Sequence, residues 1–206
     1  MRKIHIARHG QNEDNANGIL NGHRDKPLTG LGTRQAQELG CGIRKAGLVF
    51  DAVYTSPLVR ASKTAEIICE MLDIPPPNVV PSLIERNFGV MTGRLAKDIK
   101  KLCAPDIIET AMVTYFLSPE GAETFPDLLE RAHMMLSGIV QTTPPDSSVL
   151  LVTHGDFGKM LYASWYGIPW PSVLTSFHFG NAELILLEED GDPSAPHVIK
   201  IDQYNH

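Results

Sequence analysis

Two separate stretches of this chain end an apolar run on a histidine followed by a glycine. Ile4 and Ile6 repeat with period two and lead into Arg8-His9-Gly10-Gln11, and Val149-Leu150-Leu151-Val152-Thr153 leads into His154-Gly155. A neutral imidazole is a competent nucleophile toward phosphorus, and a phosphohistidine divides hydrolysis into two easier steps. That chemistry needs cations around the transferred group, because charge spreads over its equatorial oxygens. Arg8 adjoins His9, Arg60 falls in the first turn of a helix, and His154 is a further donor. Guanidinium groups grip phosphate in a bidentate manner that lysine cannot reproduce. A leaving alkoxide needs a proton, and Glu85, held by the apolar pair Leu83-Ile84, is the candidate donor. Glu13, Asp14 and Glu123 compete for that role, Glu123 also being placed to line a lid or cap a helix.

The elements that must position these residues follow from periodicity. Period-two apolar residues make 4–8 a strand, and Gly10 permits a sharp turn and close approach to a ligand. Arg8 and His9 then stand at a strand's C-terminal end, where open α/β sheets collect ligands. A polar loop runs from Gln11 to Pro27. Thr29 caps a helix starting near Leu31, with Ala36, Leu39, Ile43 and Ala46 as its apolar stripe and Gly47 ending it. A second strand, 50–54, stops at Ser56-Pro57, which reads as an N-cap followed by a first-turn proline. Leu58, Ala61, Ala65, Ile68 and Leu72 carry that helix onward.

Val79-Val80 reads as a short third strand. Residues 94–121 are weakly patterned: a charged helix candidate, Ala104-Pro105, a second short helix and Ser118-Pro119. Such a stretch suits a lid. Thr124 and Asp127 have capping-box spacing at the head of a helix to Val140. The strand 149–153, a helix opened by Asp156, and a hairpin of 183–187 with 197–201 complete the chain. Alternating strands and helices predict a three-layer α/β/α sandwich, its sheet mostly parallel with an antiparallel edge. One domain over 1–206, with a lid at about 94–122, accommodates the length.

An apolar fraction of 43%, with 20% charged residues, is that of a globular protein. The net charge of −6 and the lack of a Lys/Arg run argue against a nucleic-acid partner, and no apolar run approaches membrane-spanning length. Cys41, Cys69 and Cys103, odd in number and without a CxxC pair, read as free thiols of a cytoplasmic protein with no leader. His5 and His9 would form a metal pair only on a helix, and Arg8 would repel the ion, so no metal site is expected. His23, His133, His178, His197 and His206 have no partner pattern and default to packing or surface positions.

Ordered blocks carry a family resemblance. Arg8-His9-Gly10-Gln11 with Asn15, Asn21-Gly22 and Pro27-Leu28-Thr29 resembles the histidine phosphatase superfamily, the phosphoglycerate mutase-like proteins. Ser56-Pro57-Leu58-x-Arg60-Ala61 is similar to the second motif, and Leu83-x-Glu85-Arg86-x-Phe88-Gly89 to the acid-bearing loop. Gly121-x-Glu123-Thr124 and Val152-Thr153-His154-Gly155 are similar to the last two, so the blocks cover most of residues 3–165. The resemblance implies that His9 is transiently phosphorylated and that Arg8, Arg60 and His154, with Gly155, hold the phosphoryl group. It makes Glu85 the acid and later the base for water. It also implies that Asn15 and the Asn21-Gly22 backbone touch phosphate or substrate, with no metal and no cofactor.

The cofactor-dependent mutases of that family carry a longer insert with an Arg-Arg pair that grips a carboxylated bisphosphate. Here the corresponding stretch has Arg94 as its only arginine, with Lys97, Lys100 and Lys101. The expectation is therefore a metal-independent phosphomonoesterase acting on a small phosphorylated metabolite. The alternatives are a phosphoglycerate mutase, which would need a bisphosphoglycerate primer, and a non-catalytic phospho-ligand or protein-binding member. Both histidines, both arginines and the glutamate are present, which speaks against the last.

Overall fold

The strand expected at residues 4–8 lies in the interior of a six-stranded sheet in a computed structural model that describes residues 2–201. This strand, β1 (Lys3–Arg8), pairs in parallel with β6 (Ser148–Thr153) on one side and antiparallel with β7 (Leu184–Leu187) on the other. Beyond β6 lie β2 (Ala52–Thr55) and the two-residue β3 (Asn78–Val79), both parallel. Beyond β7 lies β8 (His197–Ile199), antiparallel. The order is β3-β2-β6-β1-β7-β8, the mostly parallel sheet with an antiparallel edge that the alternation predicts.

Each face of the sheet is covered by helices, which is why Val149 to Val152 form an unbroken buried run. On one face Ile4, Ile6, Val149 and Leu151 pack against α5 (Phe125–Thr142) and α6 (Gly155–Tyr166). On the other, Ala7, Val53, Leu150 and Val152 meet α2 (Gly30–Lys45) and α3 (Val59–Leu72). Thr29 caps α2 through Gly32 N–H, and Thr124 and Asp127 form the expected capping box of α5. Neither of these helices, nor any other among the described residues, is long and apolar enough to cross a membrane.

Local departures have identifiable causes. The loop expected at 11–27 contains a one-turn helix, α1 (Glu13–Ala16), closed by reciprocal bonds between Asn12 and Asn15. Ser56 is not the cap of α3: that helix starts at Val59, whose N–H is taken at 2.7 Å by Asp25 Oδ1 from the preceding loop. The third strand is one residue earlier than read, and α6 starts at Gly155 rather than Asp156. A short helix α7 (Trp170–Ser176) was not foreseen, since Pro169 and Pro171 mask it in the sequence.

The stretch 94–122 departs most. It contains the expected charged helix, α4 (Ile99–Cys103), but its second half is a hairpin, β4 (Ile107–Glu109) with β5 (Thr114–Phe116), not a helix. Thr110 Oγ1 accepts from Met112 N–H and Val113 N–H and so closes the turn, while β-branched and aromatic residues favour the extended arms. Phe88, Met91, Ile99 and Phe116 form a small separate core beneath it.

Candidate active site

Parallel register brings the two His-Gly ends together. Arg8 is the partner of Thr153, and His9 N–H donates to Thr153 O at 3.0 Å, so His9 and His154 leave adjacent strands side by side. Their rings lie 5.1 Å apart. The turn after His9 is tight: Gly10 abuts the Gly32 carbonyl and Gly32 abuts Gln11, with no room at either for a side chain. Thr64 Oγ1 and Gln35 Oε1 accept the N–H groups of Gly10 and Gln11.

His9 is buried, and its Nδ1 lies 2.6 Å from the Gly10 carbonyl. That contact requires a proton on Nδ1 and leaves Nε2 unprotonated, its lone pair an acceptor. Burial first, then Arg60 and Arg8, pushes the imidazole pKa well below its usual value, so the ring is neutral near pH 7. Arg60 Nε points at that Nε2 from 3.2 Å. The remainder of the Arg60 fork is fixed by two carbonyls, Arg24 O at 2.7 Å and Gly22 O at 3.0 Å. Burial lowers the Arg60 pKa to about 10, which still leaves it charged. Arg8 donates Nη1 to Phe179 O at 2.7 Å, and its buried Nε has no partner.

His154 heads α6 as its N-cap and sits fully buried behind His9. Its Nε2 is 2.7 Å from Ser56 Oγ, and its Nδ1 has no partner. Ser56 thus serves the site rather than a helix end.

Glu85 reaches the first turn of α6. Its Oε1 accepts from Arg86 N–H at 2.8 Å and Phe157 N–H at 3.1 Å, whereas Oε2 has one longer contact, Asp156 N–H at 3.3 Å. Burial and then the neighbouring Asp156 raise its pKa, against the opposing pull of those amides and Arg60. The loop carrying it is held by Arg131, which donates to the carbonyls of Ser82 at 2.8 Å, Ile84 at 2.9 Å and Glu85 at 3.3 Å. Glu123 takes both remaining Arg131 contacts at 2.8 Å, so it clamps the loop and is not a free acid. Glu13 and Asp14 are directed to Lys26 and Arg24.

Arg8, His9, Asn15, Asn21, Arg60, Glu85 and Gly155 line one cavity of about 370 Å³. His154 and Gly22 do not line it: the first lies behind His9, and the second turns its carbonyl to Arg60. Asn21 is tied to Asn12 Nδ2 at 2.8 Å, and Asn15 accepts from Asn181 at 3.4 Å. The stretch 94–122 contributes the uncharged Ala96, Val113 and Tyr115 to the wall, and none of its lysines or Arg94. Sequence reasoning missed Asp156, Lys159, Tyr115 and His178, all on this wall. His178 was assigned to packing by default; it follows α7, an element the sequence concealed. Lys159 was legible in principle, since it lies four residues beyond Gly155 on one helix face.

Known proteins share this framework. A 2,3-bisphosphoglycerate-dependent phosphoglycerate mutase of Bartonella bacilliformis is 31% identical over 162 residues, which cover 75% of this chain and 77% of the mutase. The mycobacterial glucosyl-3-phosphoglycerate phosphatase, solved with VO3, superposes with a TM-score of 0.76 at 26% identity, covering 90% of this chain and 92% of the other. A phosphoserine phosphatase from Entamoeba histolytica, at 23% identity and a TM-score of 0.72 over 90% of each chain, shares the fold. With a sequence match that runs from residue 4 to residue 201, and so takes in both His-Gly strand ends and the acid loop between them, the chain belongs to the histidine phosphatase superfamily, branch 1.

Proposed function

We propose that the protein is a metal-independent phosphomonoesterase that hydrolyses a small phosphorylated metabolite through a phosphohistidine on His9. The observation that carries this is the state of the His9 ring: Nδ1 is held at the Gly10 carbonyl, and the unprotonated Nε2 accepts from Arg60 Nε at 3.2 Å on the wall of a cavity that Arg8 also lines. Nε2 attacks phosphorus and the ester P–O bond breaks, its electron pair leaving with the alcohol oxygen. Glu85 supplies the proton; Oε2, with its single long contact, is the oxygen with room to carry it. Water then attacks the phosphohistidine, Glu85 takes the water proton, and the P–N electron pair returns to Nε2. Arg8 and Arg60 neutralise the equatorial oxygens, with Gly155 at the helix start beside them, and the neutral His154 behind His9, its Nδ1 without a partner, serves as a further donor once the phosphoryl group is seated. Asn15 and Asn21 meet the rest of the substrate, and Gly22 acts through Arg60. These cations supply the charge that a metal ion would otherwise provide. Residues 94–122 act as the lid, and a reducing, cytoplasmic setting suits the three free cysteines.

Phosphatase is preferred to mutase because residues 94–122, where the family's cofactor-dependent mutases carry an Arg-Arg pair, bring no cation to the cavity. The mutase reading has one observation in its favour, the relatives of that name. Both that name and the mycobacterial phosphatase's contain phosphoglycerate, a phosphate ester beside a carboxylate.

The test is a phosphatase screen in EDTA with wild type and His9→Ala. Wild type should release phosphate and form an acid-labile, base-stable phosphoenzyme, and the variant should lose at least ~10³-fold in kcat. Equal turnover by the variant, or activity lost in EDTA, overturns the reading. Isomer formation from 3-phosphoglycerate with a bisphosphoglycerate primer, without phosphate release, establishes the mutase instead.

A further inference from the structure

The cavity carries more positive charge than one phosphoryl group uses. Arg60 points at the nucleophile and Arg8 lines the cavity beside it, while Lys159 enters the same cavity from the second turn of α6. Lys159 is only 6% exposed. Its Nζ contacts the Tyr115 hydroxyl and lies 4.8 Å from that ring's centroid. No carboxylate lies within ion-pair distance of it among the described residues. Asp156, one turn earlier, is occupied by Arg86 Nε at 3.0 Å, and Arg86 is itself enclosed by Phe88, Phe116 and Phe125. A buried ammonium without a counter-ion is costly to maintain. Here it stands on a cavity wall, next to a hydroxyl that can donate to the same acceptor.

We propose that Lys159, with the Tyr115 hydroxyl, receives a second anionic group on the substrate. Preferred substrates are then phosphomonoesters whose alcohol half carries a carboxylate or a second phosphate. The proposal rests on the phosphatase reading and narrows it. Ile19, Leu20, Phe88 and Val113 supply apolar wall for the carbon skeleton between the two charges. The cavity lies near the lower end of the ~300–1,000 Å³ typical of small-molecule sites, which suits a compact molecule.

Burial pulls the Lys159 pKa to about 8. The groups facing it are Tyr115 from β5, Asp156 from its own helix, Arg8 from β1, Glu85 from the acid loop and His178 from the segment after α7. Selectivity for charged substrates therefore declines as pH rises past about 8, where the free ammonium loses its proton.

The experiment compares wild type, Lys159→Met and Lys159→Arg on 3-phosphoglycerate, 1,3-propanediol bisphosphate and glycerol 3-phosphate in EDTA. The readout is the ratio of kcat/KM for each charged substrate to that for glycerol 3-phosphate. This ratio should fall about 10- to 100-fold in Lys159→Met, chiefly through KM, and recover largely in Lys159→Arg. Whichever charged substrate shows the fall identifies the anion. An unchanged ratio, or a fall shared equally by all three substrates, overturns the proposal. A parallel calorimetric titration in the His9→Ala background separates the two readings. A binding preference for 3-phosphoglycerate over glycerol 3-phosphate that vanishes with Lys159→Met supports the second-anion site even if wild type hydrolyses nothing. No preference in that titration overturns it.

Discussion

At the scale of residues, the site sets two protonation states by different means. His9 stays neutral because burial and two guanidinium groups oppose a second ring proton. Glu85 is pushed toward the acid form by burial and Asp156. The pKa values move in opposite senses, as a neutral nucleophile and a protonated acid require. Activity should hold as pH falls below the ordinary histidine range and decline as pH rises through the raised pKa of Glu85. Glu85→Gln should lose about 10²- to 10⁴-fold in kcat/KM on alkyl phosphates. On p-nitrophenyl phosphate, whose leaving group needs no proton, the variant should instead show a burst of one p-nitrophenol per site and accumulate phosphoenzyme. A uniform loss on both substrates, without a burst, would assign the acid elsewhere. Residue types and local spacing made His9, Arg8 and Arg60 legible, because strand ends and first helical turns have known positions. Ser56 was misread for a physical reason. A serine before a proline has the same local pattern whether its hydroxyl caps a helix or, as here, meets an imidazole 98 residues away.

At the scale of elements, the acid loop is irregular over residues 84–87, between two single 3-10 turns at Pro81–Leu83 and Gly89–Met91. It is pinned from α5 by Arg131, stacked over Phe157 at 4.2 Å, and from β6 by the Thr153 hydroxyl, which donates to Leu83 O at 2.7 Å. Arg131 is a positioning residue: Arg131→Met should lower kcat by about 10-fold with KM little changed, since small displacements of a catalytic group are costly. It should also move the basic limb of the pH profile to lower pH, since water reaching Glu85 relieves the burial that raises its pKa. A fall in Tm with kcat and pH profile intact would leave Arg131 a purely structural strut. The capping boxes and stripes of α2 and α5 were readable because both ends of each interaction lie within a few residues. The hairpin of 107–116 was not. Its arms are three residues each, too short for period two to register, and their stability comes from Phe88 and Met91 at a distance.

At the scale of the whole molecule, the sheet buries imidazoles that stay uncharged. His5 lies inside, edge-on to Phe50 at 5.1 Å, and burial pulls its pKa to about 4 against the opposing effect of the Val149 backbone. The unfolded chain protonates this histidine near pH 6.5 while the folded one does not, so stability falls as pH drops from 6.5 toward 4. Between pH 7 and pH 5 that one residue accounts for about 2 kcal/mol. Urea midpoints at the two pH values should show it in wild type, and the pH dependence should shrink by that amount in His5→Leu. An undiminished slope would transfer the effect to the other buried histidines. The touching backbones at Gly10 and Gly32 bear on mechanics rather than chemistry. With no side chain between them to compress or repack, the His9 loop and the sixteen-residue helix α2 move as one stiff body, itself braced on α3. Adjustment to substrates of different size therefore falls on the opposite wall, where Phe88 and the Phe116 of β5 rest on a smaller, separate core.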